Sequence, residues 1–385
     1  MVCRRWCGRP TGGAATVTHL TWAYWASSNP MGQQRYETQL MHAMRDLEAA
    51  GWQFTERRFT GLRSPLRGVT RLPTKLLGGP SATTAASLAA LAYPTGWVHR
   101  LDLRLPPAGR REVTTIHGLE PWRFPDEGER PAWLEAAAQR SFGAITPSEF
   151  TAREVREVLG VERVWTIPHG LDSQWLTPEP MTPLLLGELG IKGPFVLHAA
   201  GASDRKNLAA LAAAWPHVHR TTGAQLVLTG SEAARRTQLF GDLPGTVLAG
   251  RQPDDALVGL VTSASVVVVP SLYEGFGLPA LEAMACGTPV VAARRGALPE
   301  VCADAALLVE PDPDSLAEAL AAVLLREELS RRLAAEGRIR STAFSWERAA
   351  RLHLAVYEEL ASSRPARARR PLPRWAGARP RSPVT

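Results

Sequence analysis

The feature that most constrains the fold of this chain is an apolar run, Val266–Val269, that leads through a glycine-containing loop into a helix. Four consecutive valines predict a strand buried on both faces, as in a parallel sheet that is covered by helices. Pro279 suits the first turn of the helix that follows, and Gly287 suits the position just past its end. We therefore expect functional groups at the carboxyl end of this strand, where open α/β sheets bind their ligands.

Two glutamates, Glu274 and Glu282, flank the glycine loop with seven residues between them. Gly275 and Gly277 lack a Cβ atom, so a ligand can approach the backbone closely, and the helix start offers unpaired N–H groups. Carboxylates beside such donors can accept hydrogen bonds from sugar hydroxyls. The arrangement is typical of a site for a phosphorylated sugar.

The loop on its own also fits a second class of site. Gly275, Gly277 and Ala280 satisfy the GxGxxA pattern of a dinucleotide-binding domain, and Glu300 lies about where a ribose-binding acid is expected. A dinucleotide fingerprint does not require acids at both ends of its loop, however, and this loop lies in the last third of the chain. A nicotinamide-dependent oxidoreductase is therefore the less favoured alternative.

Several segments taken together resemble the retaining glycosyltransferases of family 4. In the order and spacing of that family, the chain has IPHGLD at 167–172, DRKN at 204–207, LVLTG at 226–230, EGFGLPALE at 274–282 and GALPEV at 296–301. The resemblance implies the GT-B architecture, an α/β fold in which two Rossmann-like, doubly wound domains face each other across a cleft. It also implies transfer of a hexose from a nucleoside diphosphate sugar to an acceptor, without a metal or a separate cofactor.

The resemblance assigns roles to residues of the second half. Lys206, with Arg205 beside it, corresponds to the segment that binds the diphosphate, while Glu282 corresponds to the acid that binds the ribose and Glu274 to the one that binds the donor sugar. The loop residues whose N–H groups are expected near the sugar and β-phosphate are Gly275, Phe276, Gly277 and Leu278. Positive charge is needed there because the leaving diphosphate gains negative charge as the glycosidic bond breaks. The ring of Phe276 is expected to be a packing anchor.

Two further candidates lie in the first half of the chain. His117, in TTIHGLEPW, resembles the histidine that reaches the donor sugar, and Gly32, in NPMGQQRY, resembles a glycine that brings N–H groups to the phosphates. The expected catalytic residues are therefore His117, Arg205, Lys206 and Glu274. His169 is expected to shape the domain boundary, outside the active site.

The chain departs from the family pattern at two positions. Gly118 replaces the acid that usually follows the histidine, and Ala202 stands where many members carry an arginine. Arg205 is expected to replace that arginine, or part of the phosphate clamp is missing. These departures favour the alternative of a noncatalytic GT-B-like protein that binds a nucleotide sugar.

Neither a metal site nor a disulfide framework is expected. Asp312 and Asp314 spell a DxD pattern, but they occur in EPDPDS after a strand, where turn and helix-cap residues are typical. The four cysteines, at positions 3, 7, 286 and 302, form no CxxC pair and no dense framework. This cysteine usage favours a reducing cytoplasm.

Alternating strands and helices predict two parallel sheets. The expected strands are at 17–25, 52–59, 113–117 and 143–146 in the first sheet, and at 195–199, 225–229, 247–249, 266–269, 290–292 and 306–309 in the second. The expected helices of the first half are at 36–50, 84–92 and 131–140. Residues 76–98 carry no charged side chain, but glycines and prolines interrupt them, so we expect a loop and a helix there rather than a membrane span.

The expected domains are an acceptor-binding domain at 1–180, a nucleotide-sugar-binding domain at 181–345, a helix at 346–362 that crosses back to the first domain, and a basic Arg/Pro tail at 363–385. The seven arginines of the tail account for the whole net charge of +7. Such a segment is expected to be disordered and is a candidate for peripheral contact with the anionic inner membrane surface. The acceptor is expected to be a saccharide, a lipid-linked sugar or a small molecule, and no nucleic-acid partner is expected.

Overall fold

The structure is a computed structural model that describes residues 18–26, 32–47, 49, 51–72, 93, 96–109, 111–128, 130, 134–231 and 233–363. The helix expected at 84–92 and the basic tail after residue 363 lie outside these residues. None of the helices in the described part of the chain combines the length and apolar composition needed to span a bilayer.

Within the described residues, the first sheet has seven parallel strands. They are β1 (Thr18–Trp25), β2 (Trp52–Gly61), β3 (Thr70–Leu72), β4 (Trp97–Arg100), β5 (Glu112–Thr115), β6 (Gly143–Thr146) and β7 (Val164–Thr166). Their order is β3-β2-β1-β4-β5-β6-β7. Because β1 lies between β2 and β4, the direction of winding changes at β1, and such a switch point leaves a crevice at the carboxyl ends of the strands.

The second sheet repeats this arrangement with six parallel strands. They are β8 (Phe195–Ala199), β9 (Gln225–Thr229), β10 (Thr246–Gly250), β11 (Val266–Val269), β12 (Val290–Ala293) and β13 (Leu307–Val309), in the order β10-β9-β8-β11-β12-β13. The four valines of β11 are at most 3% exposed, as the unbroken apolar run predicts. The two parallel sheets confirm the expected α/β class.

The helices cover both faces of the two sheets. They are α1 (Gly32–Asp46), α2 (Glu120–Arg123), α3 (Leu134–Arg140), α4 (Glu149–Leu159), α5 (Pro183–Glu188), α6 (Leu208–Thr222), α7 (Ala234–Phe240), α8 (Asp254–Ser263), α9 (Leu278–Cys286), α10 (Leu298–Cys302), α11 (Pro313–Leu325), α12 (Glu327–Ser341) and α13 (Trp346–Ser362). Separate apolar cores fill the two faces of the second sheet. The last helix, α13, shares its core with α1 and the strands of the first sheet.

A buried hydrogen-bond chain joins α13 to the first sheet. Trp22 Nε1 donates to the Tyr357 hydroxyl over 3.1 Å, and this hydroxyl lies 2.6 Å from His99 Nδ1. His99 Nε2 in turn lies 2.7 Å from Thr115 Oγ1. The Tyr357 hydroxyl accepts from the indole and can donate to Nδ1, so a neutral His99 can carry its own proton on Nε2 and donate it to Thr115.

The chain continues from Thr115 back to α13. The Tyr36 hydroxyl lies 3.4 Å from Thr115 Oγ1 and 2.9 Å from His353 Nε2, while His353 Nδ1 lies 2.7 Å from the Ala349 carbonyl oxygen. A carbonyl oxygen only accepts, so His353 carries its proton on Nδ1 and accepts from Tyr36 at Nε2. Burial lowers the pKa of His353 to about 4, which keeps the imidazole neutral in this network.

The structure differs from the sequence prediction mainly in the first sheet. Strands β3, β4 and β7 were not predicted. Strand β4 is the central strand of the sheet, and it begins near the end of the segment 76–98, for which a loop and a helix were expected. The WVHR sequence of β4 does not indicate a buried strand, because it contains an arginine. In the structure Arg100 forms a 2.8 Å ion pair with Glu112, and both side chains are fully buried. The first helix also begins at Gly32 and ends at Asp46, earlier than the expected 36–50.

Candidate active site

A cleft of about 600 Å³ lies between the two sheets, at the carboxyl ends of their central strands. Its walls include all ten residues predicted for the site, from Gly32 and His117 in the first domain to Lys206, Glu274 and Glu282 in the second. The volume lies within the range of roughly 300–1,000 Å³ that is typical of small-molecule sites. The sequence-predicted residues therefore form one continuous surface.

An ion cluster around Glu274 lies at the centre of the second-domain wall. Lys206 Nζ lies 2.6 Å from Glu274 Oε1, Arg205 Nη1 lies 3.0 Å from Oε2, and the Ser271 hydroxyl donates to Oε1 over 2.8 Å. Burial disfavours the charged carboxylate, but the two cations and the hydrogen bonds outweigh it and lower the pKa of Glu274 to about 2. The carboxylate is therefore ionised at neutral pH, although it is only 6% exposed.

The turn that carries the two cations is fixed by its backbone. Residues Asp204–Lys206 form one 3-10 turn, and Asn207 follows in the left-handed region with φ of 55°, which asparagine tolerates. Asn207 Nδ2 donates to the carbonyl oxygens of Pro270 and Pro311, and Leu272 N donates to the Arg205 carbonyl over 2.7 Å. These bonds fix the turn beside the glycine loop.

Arg205 connects the two domains. Its Nε donates to Glu127 of the first domain, and its Nη1 also donates to the Tyr273 carbonyl oxygen over 3.2 Å. Burial alone would lower the pKa of Arg205, but Glu274 and Glu127 raise it, so the guanidinium stays charged. The sequence leaves open whether Arg205 replaces the arginine absent at Ala202 or part of the phosphate clamp is missing; in the structure the Arg205 guanidinium is held by two carboxylates of the protein.

The glycine loop lies against the first domain. A Cβ atom on Gly275 would lie 1.9 Å from the His117 carbonyl oxygen, which no side chain can tolerate. The Gly275 carbonyl accepts from the hydroxyls of Ser148 and Thr151 over 2.7 and 3.0 Å. The predicted reason for this glycine was the close approach of a ligand, whereas the structure shows close approach of the opposing backbone.

Gly277 and Gly32 have different requirements. Gly277 precedes α9 with φ of 105°, a conformation that favours glycine, and a Cβ there would lie 2.8 Å from Leu298. Gly32 begins α1 and lies opposite Leu278, whose Cδ1 would be 3.8 Å from a Cβ at that position. The helix starts of α1 and α9 thus approach each other across the cleft.

Two histidines form the first-domain wall beside the loop. His117 Nδ1 lies 3.3 Å from His169 Nε2, and burial lowers the pKa of His117 to about 4 and that of His169 well below its usual range. The other ring nitrogens, His117 Nε2 and His169 Nδ1, are buried without a hydrogen-bond partner in the described part of the chain. Both imidazoles are therefore neutral and keep one nitrogen unpaired.

His169 was expected outside the active site, and the structure places it in the cleft wall. Its ring lies 4.7 Å from those of Tyr36 and Phe276, centroid to centroid. The signal that identifies it is its position three residues after β7, at the edge of the sheet where the other site residues lie. Because β7 itself was not predicted, the position of His169 at this edge of the sheet was not predicted either.

Phe276 and Glu282 occupy the positions that the loop pattern implies. Phe276 is 5% exposed and packs into the core of the second domain, which agrees with a packing anchor. Glu282 is half-buried in α9 and faces the cleft. Burial raises the pKa of Glu282 to about 7, and the nearby Arg35, which pairs with Asp254, partly opposes this shift.

The structure also decides two alternative interpretations. The Glu300 carboxylate accepts from the backbone N–H groups of Glu149 and Phe150 at the start of α4. It therefore caps this helix and is not placed as a ribose-binding acid. Asp312 Oδ1 accepts from Ser315 N over 2.9 Å, which confirms its prediction as a helix cap. Within the described residues, no group of three or more His, Cys, Asp or Glu side chains is placed to hold a metal.

Comparison with known sequences gives two family matches and several relatives. The family described as "Glycosyl transferases group 1" matches residues 193–326, and "Glycosyltransferase Family 4" matches residues 89–175. D-inositol 3-phosphate glycosyltransferase of Xylanimonas cellulosilytica is 31% identical over 308 residues, which cover 72% of each chain. MMP alpha-(1->4)-mannosyltransferase of Mycolicibacterium hassiacum is 32% identical over 253 residues, which cover 59% of this chain and 60% of that protein.

Solved structures with the same architecture extend over most of the chain. Sucrose-phosphate synthase from Thermosynechococcus elongatus superposes with a TM-score of 0.70 at 24% identity, covering 90% of this chain and 100% of the other. Anabaena HepE in complex with UDP-glucose gives a TM-score of 0.66 at 18% identity with the same coverage. At these identities the likeness shows a shared fold.

Proposed function

The chain belongs to the family 4 glycosyltransferases and has the GT-B fold, and on this premise we propose that it transfers a hexose from a nucleoside diphosphate sugar to an acceptor hydroxyl. The observation that carries the proposal is the buried cluster of Lys206, Arg205 and Glu274 in the wall of the cleft. A cation beside the carboxyl end of β8 and an ionised acid one hydrogen bond away suit a diphosphate and its attached sugar.

The proposed donor lies along the second-domain wall. Lys206 and the N–H groups of the loop at 275–278 bind the diphosphate, Glu274 accepts from hydroxyls of the sugar, and Glu282 accepts from the ribose. His117 reaches the sugar from the first domain through its unpaired Nε2. GDP-mannose and UDP-glucose are the two donors to test first. The relatives named as mannosyltransferases suggest GDP-mannose, and the UDP-glucose complex of Anabaena HepE suggests UDP-glucose.

We propose that the reaction retains the anomeric configuration and needs no metal. The bond from the anomeric carbon to the phosphate oxygen breaks, the acceptor oxygen bonds to that carbon on the same face, and the acceptor proton moves to the departing phosphate oxygen. No side chain serves as nucleophile in this path. Lys206 supplies the positive charge that stabilises the leaving group as it develops negative charge.

A thermal-shift screen followed by product analysis tests the proposal. A donor at 100 times its Kd should stabilise the folded protein by about 2.7 kcal/mol. Transfer should persist in EDTA, and the anomeric proton signal of the product should match the configuration of the donor. Binding without turnover of any tested donor would support the noncatalytic alternative, and stabilisation by NAD but by no nucleoside diphosphate would support the oxidoreductase.

We also propose a cytoplasmic protein whose basic tail contacts the anionic inner membrane surface. Each arginine near such a surface contributes roughly 1 kcal/mol. The full chain should co-sediment with vesicles that contain phosphatidylglycerol and should remain in solution with pure phosphatidylcholine. A full-length variant with glutamine at the seven tail arginines should lose the co-sedimentation, and retention by that variant would refute the role of the tail.

A further inference from the structure

A second cavity of about 530 Å³ opens beside the cleft, and the described residues that line it lie between positions 33 and 134 of the first domain. Four residues line both cavities: Gln33, His117, Glu120 and Glu127. The two spaces therefore meet beside His117, the first-domain residue expected at the donor sugar. A molecule in the second cavity can present one end to the donor.

Among the acids at this junction, Glu120 differs from its neighbours. Asp102 is paired with Arg104, whose Nε donates to Oδ1 over 3.0 Å, and Glu127 is paired with Arg205. No cation lies within ion-pair distance of Glu120 among the described residues. Burial raises the pKa of Glu120, and Arg205 opposes this shift from a distance. Glu120 thus presents a half-buried carboxyl group that has no ion pair.

The backbone at Gly118 explains where the Glu120 side chain lies. A Cβ atom built on Gly118 would lie 2.5 Å from Glu120 Oε1 and 2.7 Å from both Cδ and Oε2. The carboxyl group of Glu120 therefore occupies the space that a side chain at position 118 would need. The sequence has no acid at position 118, directly after His117. In the structure the carboxyl group of Glu120, two residues after Gly118, lies beside that position.

We propose that the first-domain cavity binds the acceptor as a polyhydroxylated sugar or polyol, and that Glu120 accepts a hydrogen bond from its reacting hydroxyl. This inference rests on the proposed function of the cleft. The hydrogen bond directs the hydroxyl oxygen toward the donor sugar at the junction, while the proton leaves to the departing phosphate as described above. An unpaired carboxyl beside the diphosphate site disfavours a second anion, so the reacting end of the acceptor carries no phosphate.

The first experiment separates the two sites by binding. With the nucleoside diphosphate that gives the largest thermal shift bound at saturation, saturation-transfer NMR measures the affinities of methyl α-D-mannopyranoside and myo-inositol. Glu120→Ala should leave the nucleotide affinity unchanged and weaken the better of the two sugars about tenfold. Glu157→Gln, an exposed glutamate on α4, should match the wild type for both ligands.

The second experiment moves the carboxylate. Gly118→Asp alone should weaken sugar binding, because its side chain displaces the carboxyl group of Glu120 from the space that it occupies. Gly118→Asp combined with Glu120→Ala should recover at least part of the sugar affinity, which a purely structural role of Glu120 would not produce. Failure of this double variant to recover sugar binding, with native circular dichroism and nucleotide affinity, would overturn the assignment of Glu120.

The remaining outcomes are also decisive. If no nucleoside diphosphate stabilises the wild type, the proposed function itself fails. If nucleotides bind but neither sugar does, or if glucose 1-phosphate binds more tightly than the methyl glycoside, the assigned acceptor class is wrong. Unchanged sugar affinity in Glu120→Ala would overturn the role of this residue alone.

Discussion

The two walls of the cleft differ in the charge of their buried side chains. The second-domain wall concentrates full charges, because Lys206 and Arg205 hold the pKa of Glu274 at about 2. In the first-domain wall the imidazoles of His117 and His169 are neutral, because burial lowers the pKa of His117 to about 4 and that of His169 well below its usual range. Charges fixed before the reaction can stabilise a developing anion without reorganisation, whereas neutral donors and acceptors suit hydroxyl groups. This difference supports the proposal that the diphosphate binds at the second-domain wall and the acceptor at the first.

Replacing Lys206 is the strongest test of the charged wall. Lys206→Ala removes the cation proposed to face the leaving diphosphate and leaves Glu274 with one counterion fewer. We expect a fall in kcat of about 10²- to 10³-fold, the loss typical of removing one group that stabilises a developing anion. Initial rates with the donor identified by the screen measure this effect.

The matched control for this substitution is Lys192→Ala, because Lys192 is exposed and distant from the cleft lining. Its kcat should equal that of the wild type. A Lys206→Ala variant that folds and retains more than a third of the wild-type kcat would show that the charged wall does not drive the reaction.

The same contrast explains how much of the molecule the sequence predicts. Strands β8, β9 and β11 begin and end at the predicted residues, because most of their side chains are apolar, as is typical of buried parallel strands. Strand β4 escaped prediction because its buried His99 and Arg100 are satisfied by partners that lie far away in sequence or on another strand, such as Tyr357 and Glu112. Apolar burial is visible locally, whereas polar burial depends on distant partners.

The site follows the same rule. Lys206, Glu274 and Glu282 belong to short local motifs, so the sequence alone identifies them. Two other features depend on how separate segments approach each other. They are the ion pair of Glu127 with Arg205 and the position of the Glu120 carboxyl group beside Gly118. No local pattern records such an approach, and these features therefore appear only in the structure.

Gly275→Ala tests the contact between the two walls. The added methyl group must displace the His117 carbonyl, which lies 1.9 Å from the Cβ position, and overpacking of this kind costs about 2 kcal/mol. We expect a lower urea midpoint and weaker donor binding, because the loop and the first-domain wall separate. Gly193→Ala is the control, since its Cβ would meet nothing within 4 Å. Equal midpoints for the two variants would contradict the close approach.

The buried hydrogen-bond chain that joins α13 to the first sheet predicts a specific response to acid. His353 has a folded-state pKa of about 4 and an unfolded value near 6.5, so the unfolded chain binds more protons between these values. The contribution of His353 to stability should therefore be constant above about pH 6.5 and should fall as the pH decreases toward 4, by up to about 1.4 kcal/mol per pH unit. Urea unfolding at pH 7 and pH 5 measures the loss.

His353→Gln should reduce that loss between pH 7 and pH 5, because the variant removes one group that titrates on unfolding. It should also lower stability at pH 7 by about 1 kcal/mol, since the bond from Tyr36 is weakened. His217→Gln replaces an exposed histidine and should leave both quantities unchanged. An identical pH dependence in His353→Gln and the wild type would contradict the neutral hydrogen-bond chain.

Glu282 lies on the second-domain wall, but unlike Glu274 it changes its charge near neutral pH. Burial raises its pKa to about 7, so the carboxylate becomes ionised, and a better acceptor for ribose hydroxyls, as the pH rises from 6 to 8. Donor affinity should increase over this range in the wild type. Glu282→Gln should bind the donor about tenfold more weakly at pH 8 and lose this pH dependence, while the exposed Glu318→Gln should retain it. Calorimetric titration with the intact sugar nucleotide measures both effects, because its diphosphate does not titrate in this range. A Glu282→Gln variant that keeps the wild-type pH profile would place the ribose elsewhere on the second-domain wall.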